Sequence, residues 1–317
     1  MTSPHHHEPT QGVHPHHVGA RPLAERIAGA PISWGVCEVP GWGWQYDPAT
    51  VLAQMAGVGL AAAEFGPDGF LPDAPEDKAR TLAAAGLEAV GQFVPVLLHD
   101  PGADPLPEVE RAMDGLVGAE ATTLVLAAAT GVEGYDSRPE LDDAGWQALL
   151  RNLDRLAEAA EVRGLVPTLH PHVGTMVESG EETQRVIDGS RIGICLDTGH
   201  LLIGGGDPVA LARSHPDRIA HVHLKDVRAD VADRVRAGEL SYTEGIRAGL
   251  YTPLGQGDVD VAAIVSALED AGYDGWYVLE QDTILDEDPG AAGPVRQVEE
   301  SLDHLLALAA QWSGVGA

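Results

Sequence analysis

Short β-rich runs recur eight times along this chain, at about 30–34, 61–65, 89–98, 123–127, 165–170, 192–196, 219–224 and 276–280. Helical spacing fills the intervals. It is clearest where Leu149, Leu153, Leu156 and Ala160 precede Gly164, where Val261, Ile264, Val265 and Leu268 precede Gly272, and where Val298, Leu302, Leu305 and Ala309 follow. Each set puts an apolar stripe on one helix face, and a glycine just past the stripe suits a helix end. A strand, a helix and a second strand make a parallel pair, and eight such units close a sheet on itself. The expected fold is α/β, a (β/α)8 TIM barrel, with residues 27–317 as one domain. Pro95 and Pro167 lack a ladder donor and read as local irregularities of their strands.

Two stretches break the rhythm. Residues 1–26 hold six of the 14 histidines among Pro, Gly, Thr and Ser, with almost no apolar periodicity. Such a segment buries too little surface to offset its ordering entropy, so a His-rich disordered tail is expected. Between Asp226 and Asp258, more than 30 residues separate the seventh strand from its helix. An extended loop of that length after strand 7 is usually functional, and residues 238–250 are expected to form a short helix over the barrel mouth.

Charge excludes several partners. The chain carries 49 acidic side chains against 19 Lys plus Arg, a formal net charge of -30. Nucleic-acid phosphates and anionic membrane leaflets both recruit local excesses of Lys and Arg, so neither is an expected partner. No apolar run approaches the roughly 20 residues that span a bilayer, and the N-terminus has no leader-like apolar stretch. A cytoplasmic location is expected, and a homo-oligomer stays open. Cys37 and Cys195 are too few for a disulfide framework and read as buried small hydrophobes. The glycines at 204–206 and at 255 and 257 match neither a phosphate-binding loop nor a dinucleotide fingerprint, and read as close turns.

Barrel chemistry gathers at the C-terminal ends of the strands. Those ends read Ser33 and Trp34, Glu64, His99 and Asp100, His170 and His172, Asp197 and His200, His223 and Lys225, then Glu280 and Asp282. Of the eight histidines outside the tail, six (His99, His170, His172, His200, His221 and His223) lie at or near a strand end. One such histidine is ordinarily a packing residue. Imidazoles and carboxylates arriving together from different strands are what a first-row divalent metal with open positions requires. Strand alternation places His221 with His223, and His170 with His172, on one face. Trp34, Trp42 and Trp44 offer either an apolar wall for a sugar ring or cover for the barrel end.

At these residues the chain resembles the sugar isomerase and epimerase barrels of the xylose-isomerase-like superfamily, and within them the inosose dehydratase family. The resemblance rests on Pro31-Ile32-Ser33-Trp34-Gly35, on residues 169–175 (LHPHVGT), on Leu196-Asp197-Thr198-Gly199-His200, on residues 221–228 (HVHLKDVR), and on Gly275-Trp276 leading to Glu280-Gln281-Asp282. It implies a divalent metal held by His170, Asp197, His223 and Glu280, with Mn²⁺ or Co²⁺ the expected ion and Mg²⁺, Zn²⁺ or Fe²⁺ the alternatives. It also implies a polyol or keto-sugar substrate bound by Trp34, His200, Arg228 and Asp282. A ketose epimerase would have glutamate where His170 stands, so the resemblance favours elimination of water over epimerisation. Val36-Cys37-Glu38 replaces the family's Asn-Asp-Asp, and residues 253–258 replace its Pro-Gly-Asp-Gly turn.

The expected activity is metal-dependent β-elimination of water from a polyol ketone such as 2-keto-myo-inositol, with acid and base drawn from Glu64, His172, His99 and Lys225. A metal-dependent ketose isomerase or epimerase and a non-catalytic polyol-binding protein are the alternatives. The charge of -30 speaks against a DNA-repair endonuclease on the same barrel.

Overall fold

A computed structural model of the chain describes residues 21–290 and 293–313. Nine parallel stretches form one sheet: β1 (Ile27–Gly29), β2 (Ala62–Ala63), β3 (Glu88–Ala89), β4 (Gly91–Val96), β5 (Thr123–Ala128), β6 (Val166–Leu169), β7 (Gly193–Asp197), β8 (Ile219–Leu224) and, after two short strands, β11 (Tyr277–Leu279). Their order is β3-β2-β1-β11-β8-β7-β6-β5-β4. β3 and β4 are halves of one strand interrupted at Val90, whose N–H donates to Ala63 O while its carbonyl accepts from Thr123 N, each at 3.0 Å. That shared strand joins the two ends of the sheet, so the barrel closes with eight strands, as the alternation predicts.

The first strand is earlier than the sequence suggests. Ile27–Gly29 pairs with β11 and β2, whereas Pro31–Trp34 winds into a 3₁₀ turn. Proline fixes φ and has no N–H to give a ladder, so it suits the first position of that turn. Pro95 and Pro167 lie within barrel strands, each where one neighbour is missing: the last hydrogen bond from beyond β2 reaches only Gly91, and β7 joins β6 only from Thr168. The prolines therefore sit where the ladder is already one-sided.

Helices cover the outside. Asp143–Val162 buries Leu149, Leu153, Leu156 and Ala160, and Val261–Asp270 buries Val261, Ile264, Val265 and Leu268. Gly164 and Gly272 follow them with φ of 78° and 83°, the left-handed position a glycine takes most readily. Each buried leucine contributes roughly 1.5–3 kcal/mol of transfer free energy, which is why the stripe positions dominate the shell. Among the described residues, no helix is long and apolar enough to cross a membrane.

Most of the His-rich segment lies outside the described residues. Its last positions form a 3₁₀ turn at Leu23–Glu25 with Leu23 buried, and Arg26 binds Glu269 at 2.7 Å against the barrel's underside. The extended loop contains β9 (Asp226–Val227), helices Ala229–Arg236 and Tyr242–Arg247, and β10 (Tyr251–Thr252), which pairs antiparallel with β9. The short helix falls inside the expected 238–250 interval. Asp226 ties the insert shut: its carboxylate accepts from the backbone N–H groups of Val227, Gly255, Gly257 and Val259 at 2.8–3.0 Å.

Candidate active site

The C-terminal ends of β6, β7, β8 and β11 converge on a cleft lined by His170, His172, His223, Lys225, Glu280 and Asp282. His170 follows β6, Asp197 ends β7, His223 stands within β8 and Glu280 follows β11. His170 Nε2 lies 3.3 Å from Asp197 Oδ2, and His223 Nδ1 lies 3.7 Å from the same oxygen and 3.1 Å from Glu280 Oε2. One donor atom from each of the four falls within 4.8 Å of all the others.

Neighbouring groups aim these atoms. His170 Nδ1 lies 2.9 Å from Pro171 O. A carbonyl can only accept, so Nδ1 carries a proton and Nε2 is the nitrogen turned toward Asp197. Glu64 Oε1 accepts from His223 Nε2 at 3.1 Å and from His221 Nε2 at 2.8 Å, which leaves His223 Nδ1 facing Asp197 and Glu280. Asp197 Oδ1 caps the helix Thr198–Ile203, accepting from Gly199 N at 2.9 Å and His200 N at 2.7 Å, and this leaves Oδ2 free. Asp197 Oδ2 and His223 Nδ1 are both buried and turned toward the other side chains of this group rather than toward backbone. Two imidazoles and two carboxylates with lone pairs converging this way fit a first-row divalent cation.

One ammonium lies among the same atoms. Lys225 Nζ is 3.0 Å from Asp197 Oδ2, 2.8 Å from Glu280 Oε2 and 2.9 Å from Asp282 Oδ1. Gly199 allows that approach, since a Cβ there would meet Lys225 Cβ at 2.7 Å. Asp282 Oδ2 accepts from Tyr242 Oη, which lies 2.9 Å from Tyr251 Oη. Both tyrosines come from the extended loop.

Burial and pairing set the charges. Burial opposes the ammonium of Lys225, but Asp197, Asp282 and Glu280 outweigh it and hold its pKa well above the ordinary lysine value. Burial likewise opposes charge on Asp197 and Glu280. Lys225 and then His200 hold Asp197 well below the carboxylate range, while His223 and Lys225 lower Glu280. Glu64 is lowered despite burial by His223 and His221. The His223 imidazole, disfavoured by burial, is raised well above its usual value by Cys195, Glu280 and Glu64, so a metal would replace a proton at Nδ1. Burial and the facing His170 push His172 well below the ordinary imidazole value, and burial and the facing His172 do the same to His200. Burial raises Asp282, against Lys225. His172 is thus a neutral base at physiological pH, its Nδ1 proton donated to Val173 O at 2.7 Å and its Nε2 lone pair free. Its ring stacks on His200 at 3.8 Å.

Several residues expected at the site lie elsewhere. Trp34 is fully buried and donates from Nε1 to Gln54 Oε1 at 2.7 Å; as part of the 3₁₀ turn past β1 it faces the core, not the cleft. Arg228 points outward to Asp230 at 2.9 Å and is half exposed. His99 sits beyond β4, partly buried and below its ordinary pKa through that burial, and does not line the cleft. Glu64 lines the cleft, yet its carboxylate is engaged by the two histidines. His200 packs behind His172 with Nε2 3.6 Å from Asp282.

Of the three tryptophans read as a wall for a sugar ring, Trp42 lines the cleft, while Phe93, Tyr135 and Tyr242, which also line it, escaped the sequence reading. Tyr135 stacks on His172 at 4.4 Å and hydrogen-bonds Glu38, linking the β5 and β1 loops. Gly174, at φ 75°, lets that loop dock: a Cβ would meet Tyr135 O at 2.2 Å. The only available signal was an aromatic in a strand-end loop.

An eight-stranded barrel with histidines and carboxylates gathered at its strand ends is the architecture of the xylose isomerase-like TIM barrels, and this chain belongs to that family, whose model matches residues 52–308. Among its relatives is an inosose dehydratase of Geobacillus kaustophilus, 34% identical over 89% of this chain and 94% of the relative. The rhizopine catabolism protein MocC of Rhizobium meliloti is also 34% identical, over 91% of this chain and 90% of that protein. The fold is shared with the zinc-bound IolI protein (TM-score 0.65, 14% identity, 90% and 98% of the two chains). It is shared too with the probable 3-DHS dehydratase AsbF of Bacillus anthracis (TM-score 0.63, 15% identity, 89% and 98%).

Proposed function

We propose that this protein is a divalent-metal-dependent hydro-lyase that removes water from a polyol ketone of the 2-keto-myo-inositol kind. The observation that carries the reading is the convergence of His170, Asp197, His223 and Glu280 beside the neutral base His172. Similarity to inosose dehydratases over nearly the whole chain supports it. When bound by those four residues, a divalent cation (Mn²⁺ or Co²⁺ in this reading, with Zn²⁺, Fe²⁺ or Mg²⁺ as alternatives) supplies Lewis-acid stabilisation of the negative charge that develops on the ketone oxygen.

The chain's own residues handle the protons. His172 Nε2 accepts the proton from the carbon beside the ketone, its ring held by the Nδ1 bond to Val173 O. Lys225, held by Asp282, donates a proton to the hydroxyl on the next carbon, which leaves as water as the C–O bond breaks and the C=C bond forms. His172 then releases its proton and Lys225 regains one from solvent, so the net change is loss of one water. Phe93, Trp42 and Tyr135 offer apolar surface to the C–H face of a ring. Lys225, the one cation among the lining residues, is already bound by three carboxylates, which suits an uncharged polyol rather than a phosphorylated one.

Incubation of the metal-loaded protein with 2-keto-myo-inositol tests this directly. An ultraviolet-absorbing dehydrated dione should form and should cease to form after chelation. Solvent deuterium exchange into the substrate without loss of water would instead establish the isomerase or epimerase alternative, and metal-independent binding with no product would establish a binding protein.

A further inference from the structure

We infer that Lys225 is an internal cation that competes with the divalent metal for Asp197 and Glu280, and that metal binding drives its ammonium onto Asp282. This rests on the metal reading above and concerns what sets the affinity. The ammonium makes its contacts with Asp197 Oδ2 and Glu280 Oε2, at 3.0 and 2.8 Å, which are also two of the four atoms that converge for a cation. Two cations crowding the same two oxygens repel each other strongly in a buried setting. One must yield.

The site gives Lys225 a second berth. Asp282 Oδ1 lies 2.9 Å from Nζ, and Asp282 does not belong to the four-residue metal cluster. Its other oxygen is fixed by Tyr242, and the Tyr251 ring lies 5.8 Å from Nζ on the same side. The backbone cannot follow the movement. Thr198 Oγ1 accepts from Lys225 N at 2.9 Å and donates to Lys225 O at 2.6 Å, so only the side chain is free to swing. The ammonium offsets the charge of three buried carboxylates. With the metal bound it stands at Asp282, in the lining of the cleft, where the elimination needs a donor. Metal loading and placement of the acid are therefore one event.

The test is a Co²⁺ titration of the metal-free full-length protein and of Lys225→Met and Lys225→Gln, followed by calorimetry and visible absorption, with melting temperatures taken with and without Co²⁺. Both neutral variants should bind Co²⁺ about tenfold or more tightly than wild type, given the charge removed. Co²⁺ should also raise their melting temperatures by more than it raises that of wild type, since it replaces the missing ammonium. Equal or weaker binding by the variants, with wild type binding normally, overturns the competition. Variants that stay unfolded even with Co²⁺ overturn it too, because the cation then does not substitute for Lys225. If wild type itself binds no Co²⁺, the metal reading fails first and this inference falls with it.

Discussion

Glu64 Oε1 receives both His221 Nε2, at 2.8 Å, and His223 Nε2, at 3.1 Å. A residue at the second strand end thereby selects which nitrogen of His223 faces Asp197 and Glu280, and it does so from three strands away around the barrel. Replacing Glu64 with Gln puts an amide against two imidazole nitrogens and removes the preference for the Nε2-protonated tautomer. The expected result is a 10–100-fold loss of Co²⁺ affinity, read by calorimetry, with the far-ultraviolet spectrum unchanged.

Asp197→Asn separates fold from chemistry. Asparagine keeps an acceptor for Gly199 N and His200 N, so the helix cap survives. It replaces Oδ2, the oxygen shared by His170, His223 and Lys225, with a neutral amide. Metal-dependent turnover should fall by at least about 100-fold, equivalent to roughly 2.7 kcal/mol of barrier, while the protein still melts cooperatively. Retained turnover in the metal-stripped variant would remove Asp197 from the mechanism.

Tyr242→Phe probes the contribution of the extended loop. The change removes the hydroxyl that donates to Asp282 and contacts Tyr251 Oη at 2.9 Å, and leaves the ring in place. Asp282 then holds Lys225 with one donor fewer, at a cost of about 1–3 kcal/mol for the buried acceptor left unsatisfied. Steady-state kinetics should show kcat reduced about tenfold with a smaller change in KM. An unchanged kcat would make Tyr242 a packing residue only.

Arg228→Met should leave kcat and KM within about threefold of wild type. The guanidinium is half exposed and its partner is Asp230, so the substitution is a surface change worth at most a few tenths of a kcal/mol. A tenfold rise in KM would mean that Arg228 turns toward the substrate in the bound protein.

Glu182 provides a pH test of the scaffold. It accepts from the backbone of Glu178 and Ser179 at 2.9 Å and binds Arg138 at 2.8 Å, which anchors the β5 loop to the helix Gly180–Gly189. Burial opposes its charge, but Arg138 and the two backbone donors lower its pKa below the usual carboxylate value. A depressed folded-state pKa contributes stability that is present above the unfolded value and is lost as pH falls through the folded one. Glu182→Gln should therefore melt below wild type at neutral pH, and the two melting curves should converge below about pH 4. A gap that persists in acid would assign the effect to packing.

The barrel was legible because its signal is local and repeated: a strand with a period of two, a helix with a period near 3.6, and a glycine between them. Closure then forces every strand's C-terminal end to one mouth, so His170, Asp197, His223 and Glu280 meet whatever the loops do. The same pattern could not place strand 1, because residues 30–34 are as apolar as a strand and only Pro31 marks the turn. Nor could it separate His99 from His170, since both read simply as a histidine after an apolar run.

What the sequence determined alone was the set of strand ends and the residue types that stand at them, since chain order and side-chain alternation fix both. Tertiary structure decided which atoms face one another. It turned Trp34 into the core and Arg228 into solvent, engaged Glu64 with two histidines, and set Lys225 among three carboxylates. It folded the 226–258 insert back so that Tyr242 and Tyr251 reach Asp282 and Lys225. The direction of a side chain and the path of a long loop depend on contacts between residues far apart in sequence, and these exist only once the barrel has closed.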